Sequence, residues 1–174
     1  MQVLAIVALG VATAVIYGVI HDQITVRICL EYFTIGHPRI FRTADPTLLA
    51  LGWGVIATWW AGLLVGLLLA VAARAGSRPP LTAGALIRPL AWLMGVCAVG
   101  AALAGLIGWG LAERKVVFLV GRIAMRIPED RHVPFLCDLW IHSASYFFGF
   151  VGGGVLAWRV WRSRSRGAIA VTVT

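Results

Sequence analysis

An all-α fold, a four-helix transmembrane bundle with one or two short interfacial helices, is predicted by three observations. The 174-residue chain draws 60% of its residues from the apolar set, with a mean hydropathy of +0.90. Only 13% are charged, against the ~25% usual in soluble domains, too few to coat a water-soluble globule. Four apolar stretches also reach the ~20 residues that a helix needs to cross a hydrocarbon core. Fifteen basic against seven acidic residues give a net charge of +8. On so apolar a chain these cations read as membrane-flanking charge. The bilayer is the expected partner and nucleic acid is not. Cys29, Cys97 and Cys137 form no CxxC, so neither a zinc cluster nor a disulfide framework is expected.

The four spans form a single membrane domain, with outer loops at about 21–46 and 113–133. Span one covers about 3–20 and ends at His21-Asp22. A cleaved leader is the competing reading. No Lys or Arg precedes the apolar run, and Val19-Ile20-His21 is a poor cleavage site, so a retained span is expected. Span two covers about 47–73, opened by Asp45 as N-cap and Pro46 at the first helical position. Span three covers about 90–111, after Arg88-Pro89, and is closed by Glu113-Arg114-Lys115. Span four covers about 134–160 and is the most polar. Between spans three and four, an apolar run too short to cross suggests an interfacial helix with Arg122 and Arg126 on one face. These two cations suit lipid headgroups or an anionic substrate. Small residues at helix-packing distances, Gly62 and Gly66, Gly100 and Ala104, Gly149 and Gly153, predict close helix approach.

An even number of spans places both termini on one side. Arg74, Arg78, Arg88, Arg159, Arg162, Arg164 and Arg166 lie on that side without an acidic neighbour, which favours cytoplasmic termini. Trp158 and Trp161 among them suit an interfacial belt. Every acidic residue and all four histidines, His21, His37, His132 and His142, fall on the opposite side or in the adjoining half of a span.

Two segments concentrate that polar chemistry. In span four, Asp138, His142 and Tyr146 follow i, i+4, i+8 and share a helix face, with Ser145 nearby. At 1.5 Å per residue from Pro134, His142 lies ~12 Å below the helix start, where an ionisable group normally faces the bundle interior with a partner. An Asp–His pair that only fixes helix register is the alternative to a metal ligand or proton relay. The second segment follows span one. Ile24, Ile28, Tyr32 and Ile35 recur at helical spacing, which suggests a surface helix that turns Asp22 and Glu31 toward the bundle mouth. Alternatively, Asp22 and Gln23 cap span one and Glu31 pairs with Arg27. If the segments meet, a carboxylate and imidazoles offer N and O donors suited to Zn, Fe, Mn or Cu. Cys29 and Cys137 lie on the same side, either as a disulfide or as buried thiols.

His21-Asp22-Gln23-x-Thr25 followed by Glu31-Tyr32-Phe33-Thr34, then Ala57-Thr58-Trp59-Trp60-x-Gly62, and finally His142-x-x-Ser145-Tyr146-x-x-Gly149 resemble a family of uncharacterised bacterial integral membrane proteins, over about 125 residues from His21 onward. The resemblance implies no activity. Its members often carry asparagine at the position of His21, which implies that Asp22, Glu31 and His142 are better ligand candidates than His21. It also implies that the first loop and the fourth span form one constellation.

The resulting expectation is a polar site near the extracytoplasmic face built from Asp22, Glu31, Asp138, His142, Ser145 and Tyr146. His142 would be principal ligand or base, oriented by Asp138, with Glu31 as second ligand or acid, Asp22 and Asp138 as further candidate metal ligands, Tyr146 as hydrogen-bond donor and Ser145 beside it. A structural or accessory subunit of a membrane complex, or a homo-oligomer, is the alternative function. Transport and haem ligation by a histidine pair have less support.

Overall fold

The computed structural model describes residues 1–171, with side chains placed through Arg164. Of the basic residues expected at the tail, Arg166 lies outside those described side chains. The described residues are all helical or loop: α1 (Gln2–Ile28), α2 (Leu30–Thr34), α3 (Pro46–Ile56), α4 (Trp59–Arg74), α5 (Gly84–Glu113), α6 (Gly121–Arg126), a 3-10 turn (Glu129–Arg131) and α7 (His132–Val171). Four helical segments, Gln2–Ile28, Pro46–Arg74, Gly84–Glu113 and Glu129–Arg164, are long and apolar enough to cross a membrane. They fit a multi-pass membrane protein in contact with the lipid bilayer.

The first helix runs past its expected end at His21 to Ile28. Polar residues do not stop it, because they point inward. Asp22, Thr25 and Val26 are buried, while Ile16, Ile20 and Ile24 are 61%, 59% and 61% exposed. A lipid-facing helix keeps its apolar stripe outside and its polar stripe in the bundle. The expected surface helix over Ile24 to Ile35 is therefore split. Its first turn belongs to α1, Cys29 is extended at φ −144°, and the short α2 folds back with Phe33 buried.

The second span opens as expected, with the Asp45 side chain accepting from the Leu48 N–H at 2.9 Å and Pro46 beginning α3. It then breaks at Ala57 and Thr58. The Ala57 carbonyl accepts the Tyr146 hydroxyl at 2.7 Å, and the ladder resumes with Gly62 N–H on Thr58 O at 3.0 Å. Interrupted helices persist inside membranes where neighbouring side chains satisfy the freed backbone groups. The third span begins at Gly84, earlier than expected, and carries Pro89 within it. The fourth extends in both directions beyond 134–160. α6 forms where an interfacial helix was expected and buries no residue.

Around the bundle the order is α1, α3/α4, α7, α5: α1 packs on α3 and α4, α4 on α7, and α7 extensively on α5. α1 and α5 touch far less, so the ring has one loose seam. The α1/α4 contact is backbone on backbone. A Cβ on Gly10 would lie 2.7 Å from Gly66 Cα and 2.8 Å from Gly62 O. Gly62 and Gly66 thus do serve helix approach, whereas nothing lies within 4 Å of a Cβ on Gly149. At the arginine-rich end, Arg164 is buried and, among the described residues, has no acidic partner and donates to backbone carbonyls alone.

Candidate functional site

The four histidines divide by role. His132 Nε2 donates to the carbonyls of Ala124 and Ile127 at 3.1 and 3.0 Å, and His37 Nδ1 donates to Tyr32 O at 2.8 Å; both tie down loops. His21 and His142 instead meet inside the bundle, with ring centroids 4.8 Å apart and edge to face. α1 delivers His21 and Asp22, and α7 delivers His142 from across the bundle. His21, Asp22 and His142 each offer a ligand atom, and these atoms lie within 4.8 Å of one another.

The hydrogen-bond arithmetic of this group is unbalanced. His142 Nδ1 lies 2.8 Å from the Asp138 carbonyl oxygen, which can only accept, so Nδ1 carries the proton. In the neutral ring Nε2 is then an acceptor, yet it faces Asp22 Oδ1 at 3.4 Å, another acceptor. His21 Nε2 is buried with no hydrogen-bond partner. The Asp22 and His142 lone pairs thus face each other beside the unpartnered His21 Nε2, and a shared proton or a cation would satisfy them. Two imidazoles and a carboxylate are a donor set for Zn, Fe, Mn or Cu.

Below the group is a cavity of about 90 Å³ between the helices, lined by His21, Asp22, Ala57, Thr58, Ser145 and Tyr146 among others. Tyr17 and Ser145 bridge it through a 2.9 Å hydroxyl–hydroxyl hydrogen bond. Three candidate ligand side chains with open space beside them match the arrangement that, with a metal bound, leaves a coordination position for water or substrate.

The other expected residues sit elsewhere. Glu31 is not in the group. Its carboxylate accepts from Arg131 Nε at 2.9 Å, and Arg131 also donates to Ile28 O at 3.1 Å. The alternative Glu31–Arg27 pair is not formed either, because the chain is extended at Cys29; Arg27 bonds Gln23 and Thr47. Asp138 orients His142 through its backbone carbonyl. Its own carboxylate is fully buried, with neither oxygen hydrogen-bonded. The Tyr146 hydroxyl donates to Ala57 O. Cys29 and Cys137 are free, buried thiols. His21 is not among the ligands expected from the sequence, although Tyr17, His21 and Thr25 form a polar i, i+4, i+8 stripe beside the exposed isoleucines that marks it as inward-facing.

α2 closes the site from the loop side. Tyr32 stacks on His142 with centroids 4.5 Å apart, and Phe33 meets its edge at 5.8 Å. Beneath α2, burial pushes the Cys29 thiol up to about 12, which leaves it unreactive. Burial alone would raise the Glu31 carboxyl, but its backbone bond and Arg131 together hold it below the usual carboxylate range. Burial also lowers His37. Both shifts have one sign: the fold favours unprotonated Glu31 and neutral His37. Their contribution is present at neutral pH and is lost as pH falls, His37 below its ordinary 6.5 and Glu31 below 4.5. Because Glu31 and Arg131 are partly exposed, their pair is worth at most ~1 kcal/mol. Glu31→Gln is therefore expected to speed Cys29 alkylation several-fold at pH 7 without unfolding the bundle. Alkylation rates mapped by peptide mass spectrometry check this; an unchanged rate would show that the pair does not hold α2 down.

Fold and site together define an all-α bundle of four helices long and apolar enough to span a membrane, carrying a half-buried His–Asp–His group. No family model, curated protein or solved structure matches the chain.

Proposed function

We propose that the chain is a bacterial inner-membrane protein with cytoplasmic termini, whose His21, Asp22 and His142 bind one transition-metal ion beneath the extracytoplasmic face. The observation that carries this reading is the convergence of the three ligand atoms within 4.8 Å, with His142 fixed in the tautomer that frees Nε2. The motifs behind the family resemblance support it. His21 and Asp22 come from the first, Ala57 and Thr58 from the second, and His142, Ser145 and Tyr146 from the third, and all line one cavity. With three ligands and adjacent space, the ion would act as a Lewis acid or activate a bound water.

The test is elemental analysis of the purified chain after incubation with Zn, Fe, Mn and Cu separately. One metal is expected to reach about one ion per chain, and His21→Ala and His142→Ala are each expected to lose it. Glu31→Gln is expected to retain it. Equal, sub-stoichiometric metal in wild type and both histidine variants would remove the reading. A second reading, a proton held between His142 and Asp22, rests on the two side chains facing each other and would then stand.

A further inference from the structure

The loose seam of the bundle is a groove. α1 is drawn onto α4 through Gly10, Gly62 and Gly66, and α5 onto α7 through Gly100, Gly105 and Gly108, whose missing side chains admit Phe148, Ile141 and Trp140. Two tightly zipped helix pairs leave a gap between α1 and α5, of about 720 Å³, within the range of sites for organic ligands. No Asp, Glu, Lys or Arg lines it. Its lips, Ile16, Ile20, Ile24 and Leu106, are among the most exposed apolar residues of the spans, so it opens sideways toward lipid. Its inner wall is thin: Thr13, Tyr17, His21 and Met94 line both the groove and the cavity beneath the His–Asp–His group.

We propose that this groove binds a bilayer-dissolved amphiphile with a hydrocarbon tail and a neutral hydroxyl or carbonyl head, and that this molecule is the substrate class of the site. The inference rests on reading His21, Asp22 and His142 as a functional centre. Access from the loop side is closed by the Tyr32 and Phe33 rings over His142 and by the Arg131–Glu31 bond that pins α2. The bilayer side is open as far as the His21 wall. A charged head would find no counter-charge in the groove and would be costly at this depth. A neutral polar head meets a wall whose Thr13 and Tyr17 hydroxyls are already bonded, to Leu9 O and Ser145, and lies beside His21, the one member of the His–Asp–His group that lines the groove.

The test uses the full chain in lipid nanodiscs with a photoactivatable decyl-benzoquinone as probe, and peptide mass mapping of the adducts. Adducts are expected on α1 and α5 at the groove. Decanol and unlabelled decyl-benzoquinone should compete at least about tenfold better than decyl phosphate, which has the same tail and a charged head, a difference of ~1.4 kcal/mol. Ala98→Phe/Ala102→Phe places two rings in the groove from exposed positions one turn apart and should cut labelling by a similar factor while metal content per chain stays unchanged. Labelling spread evenly over lipid-facing helices, equal competition by decyl phosphate, or crosslinks joining two chains through this seam would overturn the proposal. Groove-specific labelling in a chain that binds no metal would sink the metal reading and leave the groove standing, so the two failures are distinguishable.

Discussion

Replacing Arg164 with alanine is expected to destabilise the protein by about 3 to 5 kcal/mol, although the residue lies far from the candidate metal site. The residue is 2% exposed, and its guanidinium donates to four carbonyls: Ala72 at 2.7 Å, Ala75 at 3.0 Å, Arg78 at 2.7 Å and Pro79 at 2.8 Å. Those groups are the C-terminal end of α4 and the turn after it, where helix carbonyls lack intrahelical partners and the helix dipole favours a cation. Alanine would leave four acceptors without their donor at once. Arg164→Lys should recover less than half of the loss, because a single ammonium cannot reproduce a fork reaching four separate carbonyls. Arg78 is the internal comparison. It also meets α7, donating to Trp161 O at 3.2 Å and lying 4.5 Å over the Trp161 ring, but it makes one such bond, so Arg78→Ala should cost ~1 kcal/mol. Thermal unfolding in detergent compares the three variants. Equal, small shifts for Arg164→Ala and Arg78→Ala would show that the carbonyl cage contributes little.

The contrast between these arginines illustrates what a sequence can disclose. The four spans were legible because bilayer crossing demands uninterrupted apolar composition, and Asp45-Pro46 signalled a helix start because a side-chain acceptor and a missing N–H solve the same end problem. Helix ends governed by which face a polar residue occupies were not legible. His21, Asp22 and Thr25 resembled the end of a span on composition, yet they continue α1 because the bundle interior receives them. Glu31 was read as a ligand or as a partner of Arg27. Its actual partner, Arg131, lies 100 residues away, and no local spacing carries that information. The break at Ala57 and Thr58 depends on a hydroxyl from another helix, Tyr146, and is equally non-local. Asp138 is expected from the sequence to orient His142 by its side chain, whereas the bonded atom is its backbone oxygen, which any residue at that position would supply.

Gly10→Leu is expected to abolish the native bundle, and Gly10→Ala to weaken it and the metal site together. Alanine is a better helix former than glycine by ~1 kcal/mol, so at an unobstructed helical position the substitution should stabilise. Gly95 is such a position, with nothing within 4 Å of an added Cβ, and Gly95→Ala should raise stability by up to ~1 kcal/mol. At Gly10 the added carbon would lie 2.7 Å from Gly66 Cα, 2.8 Å from Gly62 O and 3.0 Å from Gly66 N. These are backbone atoms that no rotamer change can move, so α1 must shift away from α4, at a cost of ~1 to 3 kcal/mol that outweighs the propensity gain. His21 and Asp22 ride on that same rigid helix, roughly 16 to 18 Å further along at 1.5 Å per residue. A displaced α1 therefore carries two of the three ligands away from His142, which belongs to α7. Gly10→Ala should lower metal affinity at least about tenfold, while Gly95→Ala leaves it unchanged. Unfolding midpoints and metal titration of the two variants measure both effects, and a Gly10→Ala protein as stable and as metal-competent as Gly95→Ala would show that the close approach of α1 to α4 does not position the site.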